Sequence, residues 1–325
     1  MAFFGTHSVL KVLQCRHTGR VLFFSMLFFS LCLFIFFFGN QKVLRIKTSN
    51  NLGIRKLPDA YLEACTPVPK DLPNWMAFHK SLAQEALERS QNSEDPVNLL
   101  FLGDSITEFL RGTNIGHPNH RLVPTQAVWN EDIAPLGALA LGVSGDCTQH
   151  LLWRLQNGEL PEQLKPKVVV VHIGTNNLGH SLGNDDDIAS GIRKIVEYIT
   201  ETLPQTEVLI LGLLPRYGPR HESGNEDIRQ RILAINSQSE LYAQSTAGRV
   251  SFLDCSDVFL LHHLEEAVDD NAAGQYPDPN KQTRGKGFQI DQVLMKDFLH
   301  PTAKGYHKLF TTCLLPYLQK RANLG

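Results

Sequence analysis

The apolar positions of this chain fall into three patterns. The first is a single unbroken run. Val21 to Phe38 reads VLFFSMLFFSLCLFIFFF, without a charge and interrupted only by Ser25 and Ser30. The second is a set of short runs, Val97–Leu102, Ala138–Leu141, Val168–Ile173, Val208–Leu213 and Val250–Leu253. Runs this short and this apolar predict strands buried on both faces. The third pattern has helical spacing. Asp185–Thr202 carries Ile188, Ile192, Ile195, Val196 and Ile199 on one face, and Ile228, Ile232 and Ile235 repeat the spacing further on. Asn74 reads as the N-cap of a helix with Trp75, Phe78 and Leu82 on one side, and a last helix is predicted after Pro301 with Leu309, Phe310, Cys313 and Leu314. Strands alternating with helices predict an α/β domain, a parallel five-stranded sheet between helices.

The long run reads differently. As a helix at ~1.5 Å per residue it spans about 27 Å, close to the bilayer hydrocarbon thickness. A signal peptide would end in small residues, whereas here Phe37 and Phe38 precede Gly39. The expected organisation is therefore a tail over 1–20, a transmembrane anchor over 21–38, a linker over 39–73 and a catalytic domain over 74–325. Lys42, Arg45, Lys47, Arg55 and Lys56 after the span favour a cytoplasmic domain by the positive-inside bias. Short N-terminal tails commonly stay in the cytoplasm, which favours the lumenal or extracellular side. The second placement is preferred, for a single-pass protein of the secretory pathway or cell membrane, and the first stays open.

Composition narrows the function. The 325 residues are 42% hydrophobic and 20% charged, with 31 basic and 33 acidic side chains. Near-neutrality argues against a nucleic-acid partner, which would call for a basic face. Six scattered cysteines form no C-x-x-C pair, so neither a zinc nor a redox motif is supported. Disulfides among Cys65, Cys147, Cys255 and Cys313 stay open.

The chemistry sits where strands end. The first strand runs into Gly103-Asp104-Ser105, the second into Gly142-Val143-Ser144-Gly145-Asp146, the third into Gly174-Thr175-Asn176-Asn177. Ligands of parallel α/β sheets bind beyond such carboxyl ends. Each motif alone has a local explanation: an N-cap serine, a glycine turn, an Asx-turn. Asp297-Phe298-Leu299-His300 then precedes the last helix. A serine hydroxyl needs a base, and that base needs an orienting acceptor. The four segments in this order carry more than any one of them.

In that order the chain resembles the SGNH (GDSL-like) hydrolase superfamily and, within it, the catalytic subunits of intracellular platelet-activating-factor acetylhydrolase. Leu152–Leu160, Lys165–Val168 and Leu211–Arg216 extend the likeness, which covers about Asn74 to Leu318. The resemblance implies a flavodoxin-like fold and a serine esterase needing no metal or cofactor. Ser105 would be the nucleophile, His300 the general base and then acid, and Asp297 the group orienting the imidazole. The oxyanion hole would be the N–H groups of Ser105 and Gly145 and the side-chain amide of Asn176. Asp104 would support the turn. The substrate would be an acyl ester, short-chain or acetyl, of a lipid or glycan, cleaved through an acyl-enzyme. A thioesterase or lysophospholipase on longer chains, and a non-catalytic scaffold, are the alternatives. The oligomeric state stays open, a homodimer included.

The chain departs from these relatives by its anchor, by Ser144 where they tend to carry glycine, and by two apparent insertions, Arg111–Pro124 and Glu265–Gln289, both expected to be surface loops. His262-His263 with Glu265-Glu266 lacks zincin spacing and reads as polar loop. Asp185-Asp186-Asp187 reads as the acidic opening of a helix. Cys147 reads as a small packing residue at a helix start, and Trp153 as core.

Overall fold

The computed structural model describes residues 63–217, 225–261 and 289–322. All of them belong to the second of two units into which the chain divides, Leu57–Gly325. The anchor segment Val21–Phe38, the tail before it and the linker up to residue 62 lie outside the described residues. So do residues 265–288 and the pair His262-His263. Among the described residues, no helix is long and apolar enough to cross a membrane.

Five parallel strands form the sheet: β1 (Leu99–Gly103), β4 (Ala138–Gly142), β5 (Val168–His172), β6 (Glu207–Leu211) and β7 (Val250–Leu253), in the order β4-β1-β5-β6-β7. Taken as a sheet of five, this is the flavodoxin-like order, with the switch point beside β1. Alternate residues serve two cores. Leu100, Leu102, Val169 and Val171 face α1 (Pro73–Gln91), α4 (Thr148–Arg154), α6 (Asp185–Thr202) and α7 (Asn225–Gln244). Leu99, Phe101, Val168 and Val170 face α2 (Ser105–Glu108), α3 (Val123–Asp132), α8 (Ala303–Leu309) and α9 (Leu315–Ala322). Burial on both faces is what the uniformly apolar runs demanded.

The ladder is shorter than the apolar runs at its edges. β6 stops at Leu211, because Leu213 hydrogen-bonds through both its N–H and its carbonyl to the Asn236 side chain. Apolar burial continues there past the last bond between β6 and β7, from the Gly212 N–H to the Leu253 carbonyl at 2.9 Å. α6 matches its expected span, with Asn184 and Asp187 closing a capping box. Asn74 is not a cap: Pro73 occupies the first helical turn behind Leu72, where its fixed φ suits the helix. The final helix starts from Thr302, whose hydroxyl accepts from the Gly305 N–H, and a π-helical turn at Phe310–Leu314 separates α8 from α9.

The segment Arg111–Pro124 is more than a surface loop. It holds the hairpin β2 (Thr113–Asn114) and β3 (His117–Pro118), a 3-10 turn and the start of α3. Arg111 pins it, pairing with Glu85 at 2.7 Å and donating to the Ala140 carbonyl at 2.8 Å.

Cys255 and Cys313 form a disulfide across 58 residues, Cα–Cα 6.0 Å, while Cys147 is a buried thiol. Closing a loop of that size restricts the unfolded chain by about 4 kcal/mol in the chain-entropy picture. Cys313→Ser is expected to melt several degrees below wild type, and reductant should bring wild type down to it. A wild-type melting curve indifferent to reductant would show that the bridge does not stabilise the fold.

Candidate active site

Ser105 opens α2 directly after β1, and Asp104 caps that helix, its Oδ1 accepting the Ile106 N–H at 3.0 Å. The sheet and α2 approach so closely that a Cβ on Gly142 would lie 2.6 Å from the Asp104 carbonyl. Glycine at that strand end is a packing requirement.

Ser105 Oγ lies 2.9 Å from His300 Nε2, and His300 Nδ1 lies 2.6 Å from Asp297 Oδ2. Asp297 Oδ1 also accepts the His300 N–H at 2.8 Å and the Leu299 N–H at 3.1 Å. Burial opposes the Asp297 charge, but the hydrogen bonds from the His300 ring, His300 N–H and Leu299 N–H outweigh it and hold the carboxyl down to about 2. An ionised carboxylate only accepts. His300 Nδ1 is therefore the protonated nitrogen, which leaves the Nε2 lone pair for the Ser105 hydroxyl.

The turn carrying this pair is held from outside. Phe298 takes φ +59°, in the left-handed region. Its ring stacks on Tyr217 at 4.6 Å, and its carbonyl accepts the Tyr217 N–H at 3.1 Å. The Phe109 ring lies 4.7 Å from the imidazole of His300.

Gly145 follows β4 with φ +78°. Asn176 lies in α5 (Thr175–Gly179), the turn after β5, and its amide donates to the Asp146 carbonyl at 2.9 Å. The second Asn176 contact, to Asp104 Oδ2, is longer at 3.4 Å. The N–H groups of Ser105 and Gly145 donate to no acceptor among the described residues. The structure thus brings together Ser105, His300 and Asp297, and places Gly145 and Asn176 on the neighbouring strand ends.

Several side chains around the site had no reading in the sequence. Asp146, fully buried, accepts from Trp75 Nε1 and from Arg154 Nε, both at 2.7 Å, and pairs with Lys70 at 3.3 Å. Arg154 also donates to the Gly103 carbonyl at 3.0 Å and pairs with Glu159. Burial opposes its charge, but Glu159 and Asp146 more than offset that and hold the guanidinium protonated. Arg154 stood in the stretch Leu152–Leu160, yet no local pattern showed what it would meet. Cys147, 1% exposed at the start of α4, is a packing residue: burial pushes its thiol up to about 12, which disqualifies it as a nucleophile. Trp153 is only partly buried at the edge of the core, its ring 5.0 Å from that of His79. No group of three or more metal-ligating side chains occurs among the described residues.

Burial pushes Asp104 up to about 7, against the opposing pull of the Ile106 N–H, His300 and Arg216. A carboxyl raised in the fold contributes stability that is full below its unfolded value near 4 and lost as pH rises through about 7. The span corresponds to about 4 kcal/mol. Asp104→Asn keeps an acceptor for the cap and removes the titration. Its melting temperature relative to wild type should therefore rise between about pH 4 and about pH 7. A pH-independent difference would remove Asp104 from the stability profile.

With this geometry in place, the comparisons are specific. A model of the GDSL-like Lipase/Acylhydrolase family matches residues 101–308. The chain is 36% identical over 197 residues to platelet-activating factor acetylhydrolase IB subunit alpha1 of Bos taurus and of Homo sapiens, covering 58% of this chain and 72% of each relative. It is 32% identical over 235 residues to subunit alpha2 of Rattus norvegicus, covering 72% of this chain and 80% of that one. The fold is shared with a putative acylhydrolase from Bacteroides fragilis, at a TM-score of 0.54 and 19% identity over 76% of this chain and 97% of that one. A GDSL-like lipase from Bacteroides thetaiotaomicron gives 0.53 and 21% over 75% and 98%. The family match spans every segment that contributes to the Ser105 site, and the chain belongs to the GDSL-like lipase/acylhydrolase family of carboxylic ester hydrolases.

Proposed function

We propose that the Ser105 site cleaves short acyl esters, acetyl esters above all, through an acyl-enzyme intermediate. The observation that carries this reading is the unbroken hydrogen-bond chain from Ser105 Oγ through His300 to Asp297, at 2.9 and 2.6 Å. His300 Nε2 takes the hydroxyl proton as Ser105 Oγ attacks the acyl carbon. The negative charge moves to the carbonyl oxygen, where the N–H groups of Ser105 and Gly145 and the Asn176 amide receive it. Collapse expels the alcohol, protonated by His300, and leaves the acyl group on Ser105. Water, deprotonated by the same imidazole, then releases the acid. Asp297 keeps the ring in its tautomer throughout and balances the charge it gains.

The acetyl preference is supported by the acetylhydrolase subunits to which the chain is 36% and 32% identical. A lipid ester fits the apolar run Val21–Phe38 as an anchor that holds the domain at a bilayer. The Cys255–Cys313 disulfide supports a catalytic domain on the oxidising, lumenal or extracellular side.

Labelling with a fluorophosphonate, followed by peptide mapping, should place the adduct on Ser105 in wild type and abolish it in Ser105→Ala. Asp297→Asn should lose on the order of 10⁴ in turnover, the loss expected when the imidazole is held in the wrong tautomer. An adduct elsewhere, or unchanged turnover in Asp297→Asn, would overturn the mechanism. A preference for octanoyl and longer esters or thioesters would overturn the short-acyl assignment.

A further inference from the structure

Glu108 is the last residue of α2, one helical turn after Ser105, and has no solvent exposure. Its carboxylate accepts four hydrogen bonds. Oε2 takes the Ser144 N–H and the Ser144 hydroxyl, both at 2.7 Å. Oε1 takes the Thr113 hydroxyl and the Gly116 N–H, both at 2.9 Å. A fully buried carboxylate is costly unless its oxygens are met by donors, and here two donors meet each oxygen. Two of the four are backbone N–H groups, which cannot turn to suit a different partner.

The placement of those donors is informative. Ser144 immediately precedes Gly145, and the directions of successive N–H groups are set by the φ and ψ between them. Two bonds from Ser144 to one oxygen fix its backbone and side chain together. The next N–H, that of Gly145, is then oriented by the φ and ψ of Ser144, and the left-handed Gly145, φ +78°, turns the chain on to Asp146. On the far side of that loop the Asp146 carbonyl is held by the Asn176 amide. The other Glu108 oxygen holds the hairpin at Thr113 and Gly116.

We propose that Glu108 is the positioning residue of the oxyanion hole. It fixes the Ser144–Gly145 peptide relative to Ser105 and makes the aim of the Gly145 N–H depend on the β2–β3 hairpin. The proposal rests on the reading of Ser105, Gly145 and Asn176 as oxyanion donors. Glu108 touches no reacting atom; it acts through Gly145.

A positioning role makes its mark in the transition state and leaves substrate binding nearly unchanged. The test uses the full chain and a short acyl ester, with Glu108→Ala, Glu108→Gln and Ser144→Ala. Three quantities are measured: kcat with KM, the affinity of an alkyl boronic acid that forms a tetrahedral adduct on Ser105, and the melting temperature. Glu108→Ala should lower kcat about 10²-fold, the size of one lost oxyanion donor. KM should change less than about threefold, and boronate affinity should fall in step with kcat. Glu108→Gln should lie between this variant and wild type, because its amide oxygen can meet only one of the two backbone N–H groups. Should Glu108→Ala fail to fold, Glu108→Gln and Ser144→Ala carry the measurement, with kcat losses of about tenfold. Folded variants with wild-type kcat and boronate affinity, or with a loss confined to KM or to melting temperature, overturn the proposal. A wild type that is neither labelled at Ser105 nor active on esters overturns the esterase reading, and this proposal with it.

Discussion

The guanidinium of Arg154 is the fixed point around which the site is built. It is fully buried, and its nitrogens reach the Asp146 carboxylate, the Glu159 carboxylate and the Gly103 carbonyl. Gly103 ends the strand that delivers Ser105, and Asp146 follows Gly145. One cation therefore sets the distance between the serine turn and the loop after β4. Glu159 continues the cluster to His79 at 2.7 Å, and Asp146 continues it to Trp75, so α1 is locked to the same centre. Buried charges are tolerated only when they are paired and hydrogen-bonded, and removing one partner commonly costs about 3–5 kcal/mol.

Against that rigid side stands a more lightly held one. Asp297 is half-exposed, and its pairing with His300 is made within one turn. Its frame comes from the Phe298–Tyr217 stack and from the left-handed backbone at Phe298. The Cys255–Cys313 bridge ties the end of β7 to the final helical segment behind it. His300 and Asp297, the proposed base and its orienting carboxylate, thus come from a short turn, while Ser105 and the neighbouring strand ends come from the sheet. Chemistry requires the two to meet to within a hydrogen bond, and 195 residues of chain separate Ser105 from His300.

The segment Arg111–Pro124 lies at the surface, as its composition predicts, but is ordered by partners the sequence does not show. Its polar, turn-rich composition predicts a loop on the surface. Its order comes from Arg111 on Glu85 and Ala140, and from Thr113 and Gly116 on Glu108. None of these partners lies within the segment, so no local pattern could show them. Asn74 does mislead, because the helix starts at Pro73, before the residue that looked like its cap.

What the sequence determined by itself is what short-range physics encodes. Uniformly apolar runs become β1, β4 and β5, buried on both faces, while the edge run Val250–Leu253 is buried fully only at Val250. Isoleucines at helical spacing become α6, with a capping box at its start. Serine, glycine and asparagine at successive strand ends, and an Asp-x-x-His before the last helix, are legible because each motif is local, while the roles proposed for them rest on the family resemblance of their order. The tertiary structure alone decided the partners of the charges. Glu108 meets Ser144 36 residues away, Arg154 meets Gly103 51 residues away, and Trp75 meets Asp146 71 residues away. A glutamate and an arginine look alike whether they face water or the core. Only folding brings up the donors and acceptors that decide which of them can be buried.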